Sequence, residues 1–197
     1  MTTLFGKRIL LRPLEAGDFA AWQDVRRRNV EWLTVWEPQP LAGHPDPVED
    51  RQAFVTRCSA RNRERQLGTS HCFGVFVEGT FAGEINLTSI QRGPFQNGYV
   101  GYWIDEDHAG CGYIPEAFVV LIRFAFEELH LHRLEAAVVP RNQASRRVVE
   151  KLDLRDEGTA LKYLEINGTW EDHVRYAITT EDWKQRGEEL VTAWVGF

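Results

Sequence analysis

Residues 108 to 118 read HAGCGYIPEAF and contain the residue types from which a binding turn for an anion is built. Gly110 and Gly112 flank Cys111, and Pro115 follows three residues after the second glycine. Proline is tolerated in the first turn of a helix, so the pattern predicts a helix that starts near Gly112. Such a helix N-terminus presents unpaired backbone N–H groups and a positive dipole end, and glycine lets a ligand approach closely. We therefore expect an anion site here, with a plain tight turn as the competing interpretation.

The sequence excludes two common phosphate-binding motifs. The G-x-G-x-x-G pattern requires a glycine where Pro115 stands, and a P-loop requires a Gly-Lys-Ser or Gly-Lys-Thr step that does not occur. An anion at this turn is therefore held by some other arrangement of the backbone.

A second strand and helix follow in the segment RLEAAVVPRNQASRRVVEKL. Asn142 is a suitable helix N-cap, and Ser145 follows three residues later. Arg146, Arg147 and Lys151 add positive charge to the helix. Two strand-to-helix corners with basic side chains suit a long phosphorylated cofactor, whereas a capped helix with a solvated charged face is the alternative.

Composition narrows the class of protein. The chain has 197 residues, 43% of them hydrophobic and 26% charged, which suits one domain of residues 1–197 with its own core. No apolar run approaches the roughly 18 residues of a membrane span, and the N-terminal residues lack the features of an export signal. The three cysteines lack zinc-ligand spacing, so we expect reduced thiols, no metal and a cytoplasmic location. A formal net charge of −6 argues against direct nucleic-acid binding and favours cationic partners.

The order of the elements is mixed α/β. Strands are predicted at residues 8–14, in two runs joined at Glu78-Gly79, in NGYVGYWID, in RLEAAVVP, and in a final pair turning at Asn167-Gly168. Helices are predicted at residues 15–28, at 48–65 with Asp46-Pro47 as the start, in GYIPEAFVVLIRFAFEEL and in NQASRRVVEKL. The third helix carries an apolar stripe of Ile114, Phe118, Leu121, Ile122 and Ala125. The segment EWLTVWEPQP, rich in proline and tryptophan, is expected to be irregular.

Seven stretches carry a resemblance to a known family: RILLRPL, EWLTVWEP, GEINLTSIQRGPF, GYVGYWID, GCGYIPEA, RLEAAVVPRNQASRRVVEKL and YLEINGTWEDHVRYAITTEDW. They resemble the GNAT acetyltransferase superfamily, and within it the RimJ/RimL-like branch of ribosomal-protein alanine N-acetyltransferases. The resemblance implies an α/β (α+β mixed) GNAT fold, with a central, mostly antiparallel seven-stranded sheet flanked by helices. Its fourth and fifth strands would be parallel and splayed apart. The family's turn motif starts with a basic or amide residue where this chain has Asp107, so the turn is expected to rely on its backbone N–H groups and on His108.

The resemblance implies acetyl-CoA as the cofactor and direct acetyl transfer from its thioester to an amine. The cofactor diphosphate would lie on Gly110, Cys111, Gly112 and Tyr113, and the thioester would lie along Trp103 and Ile104. Asn142 would hold the pantetheine arm, and Ser145 would protonate the departing thiolate, with a helix-capping hydroxyl as the alternative role of Ser145.

Glu84 is the first candidate for the general base. In FAGEINLT, strand alternation places Glu84 and Asn86 on one face and four residues on the other, namely Phe81, Gly83, Ile85 and Leu87. The alternative interpretation of Glu84 is a solvent-facing carboxylate. Glu165, His71 and His173 are further candidates, although a histidine in WEDHV is typically a structural hydrogen-bonding group. Cys111 is disfavoured as an acyl-carrying nucleophile because only His108 lies near it in the sequence.

The resemblance also indicates an acceptor groove with Trp32, Trp36 and Glu37 on its wall, and the strand face that carries Asn86 is expected to turn towards this groove. An acidic lining would suit a cationic N-terminal amine, whereas the spacing of the two tryptophans also fits a buried helical stripe. The expected acceptor is a protein N-terminus, with a ribosomal protein as one candidate, or a small amine. The expected assembly is a monomer or a homodimer. A non-catalytic acyl-CoA-binding module is the alternative function, and the Asp107 departure is its main support.

Overall fold

One continuous sheet of eight strands forms the centre of the molecule. The computed structural model describes residues 2–40, 43 and 45–196. The strands are β1 (Leu4–Phe5), β2 (Ile9–Arg12), β3 (His71–Val77), β4 (Thr80–Gln91), β5 (Asn97–Ile104), β6 (Arg133–Val138), β7 (Arg155–Ile166) and β8 (Thr169–Thr179). Their spatial order is β1-β2-β3-β4-β5-β6-β8-β7, and only the β5–β6 pair is parallel among the pairs described. The predicted class is confirmed, and the count exceeds the predicted seven because of the two-residue strand β1.

Helices cover both faces of this sheet. They are α1 (Phe19–Arg28), α2 (Val30–Thr34), α3 (Arg51–Leu67), α4 (Tyr113–Arg123), α5 (Gln143–Lys151) and α6 (Thr180–Trp194). Helix α4 packs with α6 on one face, and α1 packs with α3 on the other. The predicted apolar stripe is buried, although its last residue, Ala125, lies in the π-helical turn Phe124–Glu128 that follows α4. Among the residues described, no helix combines the length and hydropathy that crossing a membrane requires.

The N-terminal helices differ from the prediction in detail. Helix α3 begins at Arg51 because the Asp50 side chain caps it and accepts hydrogen bonds from the backbone N–H groups of Gln52 and Ala53. The segment expected to be irregular contains the short helix α2, whose Leu33 is buried. The irregular segment predicted from proline and tryptophan content therefore starts too early, because its first residues are helical.

Helix α6 was not expected from the sequence. Thr179 and Asp182 form a capping box at its start, a local signal that was available in the sequence. Helix α6 packs against α4 and contributes Leu190 to the main core, and its C-cap residue Val195 lies in the same core.

A β-bulge changes which side chains of β4 share a face. The register between β3 and β4 shifts after Val75, so Ala82 is an extra residue in β4. Phe81 consequently lies in the smaller core beside α1 and α3, whereas Ile85 and Leu87 lie in the larger core beside α4. The prediction that Phe81 shares a face with these residues is wrong because one inserted residue reverses the alternation of a strand.

Candidate active site

The parallel strands β5 and β6 open into a slot. They pair only from Asn97 to Tyr99 on β5, opposite residues 133–135 of β6. The later residues of β5, Val100 to Ile104, pair with β4 on their other side. The edge of β5 that faces β6 is thus left without a strand partner over its C-terminal half, as the resemblance implied.

The backbone direction along β5 identifies which groups face the slot. The N–H of Asp105 donates to the carbonyl of Ala82 on β4. Because successive backbone groups in a strand point to opposite sides, the N–H and C=O groups of Tyr102 and Ile104 point away from β4. The carbonyl of Ile104 accepts a hydrogen bond of 3.1 Å from the indole Nε1 of Trp32. The backbone N–H and C=O groups of Tyr102 therefore face the slot.

The glycine turn leads from β5 into α4. Gly110 has φ of +78° and Gly112 has φ of +85°, a region that favours glycine over any residue with a Cβ. Gly112 is the N-cap of α4, which begins at Tyr113 without a capping side chain. Pro115 lies in the first turn of the helix, as predicted. Asp107 is exposed, and the first N–H groups of a helix, which have no partner within the helix, form the kind of site that binds an anion.

A buried carboxylate anchors the end of β5 to α1. Asp105 is 1% exposed and accepts hydrogen bonds from Arg28 and from Asn29 Nδ2, the latter at 2.7 Å. His108 Nδ1 lies 3.3 Å from the same carboxylate. Although burial opposes the charged form, hydrogen bonds from Arg28, Asn29 and His108 hold the pKa of Asp105 below its usual value. His108 is thus held at the beginning of the turn by a partner that sequence reasoning did not identify.

Asn142 and Ser145 meet at the start of α5. The Asn142 side-chain oxygen accepts a 3.0 Å hydrogen bond from the Ser145 backbone N–H, so Asn142 is the N-cap as predicted. The hydroxyl of Ser145 lies 2.8 Å from the hydroxyl of Tyr102 on β5. The alternative role of Ser145 as the capping hydroxyl is therefore wrong, because Asn142 supplies the cap.

Tyr102 is a site residue that sequence reasoning missed. Its hydroxyl also lies 3.2 Å from the Ser145 carbonyl oxygen, and its ring packs near Phe118 of α4. Burial is the main cause that raises the pKa of Tyr102 far above its usual value, so the hydroxyl keeps its proton. No spacing pattern links residues 102 and 145, which meet only because β5 and α5 border the same slot.

Glu84 does not have the environment of a general base. Its side chain is fully buried and accepts hydrogen bonds of 2.7 Å from Trp22 Nε1 and Arg57 Nη2, and another from Arg61. Burial opposes ionisation, but the two arginines prevail and lower the pKa of Glu84 to about 2. A carboxylate with such a pKa is a poor proton acceptor near neutral pH. Both sequence interpretations of Glu84, the general base and the solvent-facing carboxylate, are contradicted by these contacts.

The other base candidates lie in the β7–β8 turn or are buried in the sheet. Glu165 accepts a hydrogen bond from the Gly168 N–H at the β7–β8 turn. His71 is 7% exposed and packs against the ring of Phe124, and burial lowers its pKa. His173 is 2% exposed, with its Nδ1 3.1 Å from a backbone carbonyl, as expected of a structural histidine.

Cys111 is exposed within the glycine turn. Its Sγ atom lies 3.8 Å from the carbonyl oxygen of Ala109, and the nearby His108 is held by Asp105. This arrangement lacks the base and orienting group that a nucleophilic thiol requires.

The predicted acceptor residues lie around α2 and the segment that follows it. Glu37 forms two 2.6 Å hydrogen bonds with Arg26, so its charge is matched and does not form an acidic lining. The guanidinium of Arg141 lies 4.6 Å from the centre of the Trp36 ring. Trp32 contacts Ile104 through the hydrogen bond described above, and both tryptophans are half-buried.

Trp103 and Asn86 project from the face of the sheet that bears α1 and α3. The ring of Trp103 packs against Phe81 and lies under the guanidinium of Arg26. The buried side-chain oxygen of Asn86 has no hydrogen-bond partner among the residues described. Gly101 pairs with Asn86, and the space where a Gly101 side chain would lie is open within 4 Å. A buried polar atom without a protein partner is commonly satisfied by a water or by a ligand donor.

Three comparisons with known proteins bear on this site. The family model described as acetyltransferase (GNAT) domain matches residues 8–155. Probable N-acetyltransferase YjcK of Bacillus subtilis (strain 168) is 35% identical over 184 residues, which cover 92% of this chain and 99% of that protein. Ribosomal protein uS5-alanine N-acetyltransferase of Escherichia coli (strain K12) is 32% identical over 178 residues, which cover 89% of this chain and 90% of that protein. The solved structure of Mycobacterium smegmatis RimJ in complex with CoA-disulfide has a TM-score of 0.89 at 30% identity, covering 98% of this chain and 94% of that chain.

Proposed function

The chain belongs to the acetyltransferase (GNAT) family, and on this premise we propose that it is an acetyl-CoA-dependent N-acetyltransferase acting on the α-amine of a protein N-terminus. The observation that carries the proposal is the slot between β5 and β6, which opens beside the glycine turn. The relative that acetylates an alanine of ribosomal protein uS5 supports a protein acceptor, with a ribosomal protein as the candidate.

The cofactor would occupy the turn and the slot together. Its diphosphate would accept hydrogen bonds from the backbone of Gly110, Cys111, Gly112 and Tyr113 at the positive end of α4. The pantetheine arm would pair with the free edge of β5, with Trp103 and Ile104 beside the thioester and Asn142 at its far side. The M. smegmatis structure with the same fold is a complex with CoA-disulfide, which supports coenzyme A as the group that this site binds.

The transfer itself requires little covalent chemistry from the protein. The neutral amine attacks the thioester carbon, a tetrahedral oxyanion forms, and its collapse breaks the carbon–sulfur bond. The nitrogen loses a proton to solvent, the thiolate gains one from the Ser145 hydroxyl, and the serine oxygen regains a proton from solvent. Tyr102 supports this role, because its hydroxyl can donate to Ser145 Oγ and leave the serine proton for the sulfur.

The acceptor amine would lie between Asn86 and the β5 edge. The unpartnered oxygen of Asn86 supports this position, since an amine N–H would satisfy it. Trp32 and Trp36 would border the path of the acceptor chain. Glu37 would help to position α2 through its pair with Arg26 and would not contact the amine directly.

Ser145→Ala is expected to lower kcat on the order of 100-fold while leaving the Kd of coenzyme A nearly unchanged. The melting temperature should stay close to that of the wild type, because the cap is supplied by Asn142. Asn142→Ala should instead cost about 0.5 to 2 kcal/mol of stability. Ser59→Ala on the exposed face of α3 is the control and should retain full turnover. Steady-state kinetics, calorimetry and thermal melts separate these outcomes, and a Ser145→Ala enzyme with normal turnover would contradict the role.

The proposed function is tested by thiol release from acetyl-CoA in the presence of defined acceptors. The panel contains peptides with free N-terminal alanine or serine, the same peptides with a blocked N-terminus and an internal lysine, and small polyamines and aminoglycosides. We expect release with the free N-termini, and mass spectrometry should locate the acetyl group on the first residue. Release with the small amines alone would make the chain a small-molecule acetyltransferase. Coenzyme A binding without release for any acceptor would favour a non-catalytic acyl-CoA-binding module.

A further inference from the structure

Arg8, at the start of the N-terminal sheet segment, contacts the glycine turn across 103 positions of sequence. Its Nη1 donates a 3.0 Å hydrogen bond to the carbonyl oxygen of Cys111. Its guanidinium lies 4.7 Å from the centre of the Tyr113 ring. The side chain is 42% exposed, so it lies at the surface beside the turn and is not part of the core.

Glu116 fixes the position of Arg8. This carboxylate is fully buried in the first turn of α4 and receives hydrogen bonds from both the backbone N–H of Arg8, at 2.6 Å, and its Nε, at 2.8 Å. A carboxylate held by two donors of one residue restrains both the backbone and the side chain of that residue. The strand, the turn and the helix start are therefore tied together by a single arginine.

The hydrogen bond to Cys111 sets the direction of one backbone N–H. The carbonyl of Cys111 and the N–H of Gly112 belong to the same planar trans peptide, so they point in opposite directions. Holding the carbonyl towards Arg8 turns the Gly112 N–H away from Arg8. Gly112 itself and the nearby Gly110 both have positive φ, and glycine has few steric limits on rotation. Without the contact to Arg8 the Cys111–Gly112 peptide therefore has unusual freedom to rotate.

We propose that Arg8 is a positioning residue of the cofactor site: it fixes the Cys111–Gly112 peptide with the N–H directed at the diphosphate of the donor. This inference rests on the proposed binding of acetyl-CoA at the turn.

Arg8→Lys tests the inference, because lysine keeps the charge but lacks the planar fork by which Nε and Nη1 bind Glu116 and Cys111 in a fixed direction. We expect KM and Kd for acetyl-CoA to rise roughly 10- to 100-fold with kcat nearly unchanged. With S-acetylpantetheine, which lacks the diphosphate, kcat/KM should equal that of the wild type. Arg12→Lys is the matched control, since Arg12 lies in the strand β2 that follows Arg8 and pairs with Asp18, and it should leave kcat/KM unchanged with acetyl-CoA and with S-acetylpantetheine.

Equal losses of kcat/KM with acetyl-CoA and with S-acetylpantetheine would overturn the inference and indicate a general structural role of Arg8. Unchanged affinity for acetyl-CoA would also overturn it. A second measurement needs no variant: when coenzyme A is added to the wild-type chain, the amide resonance of Gly112 should shift strongly in an NMR titration. A Gly112 amide that does not respond to bound coenzyme A would overturn the inference. A wild-type chain that does not bind coenzyme A would overturn the proposed function as well, which distinguishes the two failures.

Discussion

Glu84→Gln is expected to lower the free energy of unfolding by about 3 kcal/mol or more, the largest loss of stability that a single conservative change should cause here. The carboxylate joins β4 to α1 through Trp22 and to α3 through Arg57 and Arg61. Its neutral replacement leaves two partly buried guanidinium groups without their counter-charge. Urea denaturation at neutral pH measures the difference.

Glu49→Gln is the matched control for this change. Glu49 also pairs with an arginine, Arg27, but both side chains are more than half exposed. Exposed pairs contribute little because solvent screens them, so the control should unfold at nearly the same urea concentration as the wild type. Equal effects of the two substitutions would contradict the structural role of Glu84.

The stability contributed by Glu84 should also depend on pH in a defined window. The pKa of its carboxyl is lowered from 4.5 to about 2 in the folded chain, so the charged form stabilises the fold. This contribution is complete above about pH 4.5 and is lost as pH falls towards 2. The wild type and Glu84→Gln should therefore converge in stability over that window, when unfolding is measured at a series of pH values. A constant difference between the two across the window would contradict the assigned pKa.

Gly112→Val is expected to weaken coenzyme A binding on the order of 100-fold. At φ of +85° a β-branched side chain is strained, and a Cβ there would lie 3.3 Å from Arg8 Nη2 and from the Trp194 ring. Relief of this strain moves the peptide whose N–H is proposed to face the diphosphate. Calorimetry with coenzyme A measures the loss, at a temperature where the variant remains folded.

Gly68→Val controls for the strain alone. Gly68 also has positive φ, at the C-cap of α3, and has open space within 4 Å of the Cβ position. Its replacement should reduce stability but leave the affinity for coenzyme A unchanged. Unchanged affinity in Gly112→Val would remove the turn from the cofactor site.

The sequence alone determined the features whose cause is local. The start of α4 follows from Gly112 and Pro115, since both act within one turn of helix. The two hairpins follow from Glu78-Gly79 and Asn167-Gly168, where all four residues have positive φ, as tight hairpin turns require. The cap of α5 by Asn142 spans three residues and is equally local. The capping box of α6 belongs to the same class, and it was overlooked although its signal was present.

Only the tertiary structure decided which distant residues meet. The β-bulge in β4 depends on its pairing with β3, and it reversed the expected face of Phe81. Glu84 was predicted as a reactive carboxylate from its strand position, but Arg57 and Arg61 reach it from a helix packed on that face. The contact of Tyr102 with Ser145 likewise exists because two strands diverge and a helix end borders the gap. Such contacts depend on strand order and packing between distant segments, which no spacing within a single stretch of sequence encodes.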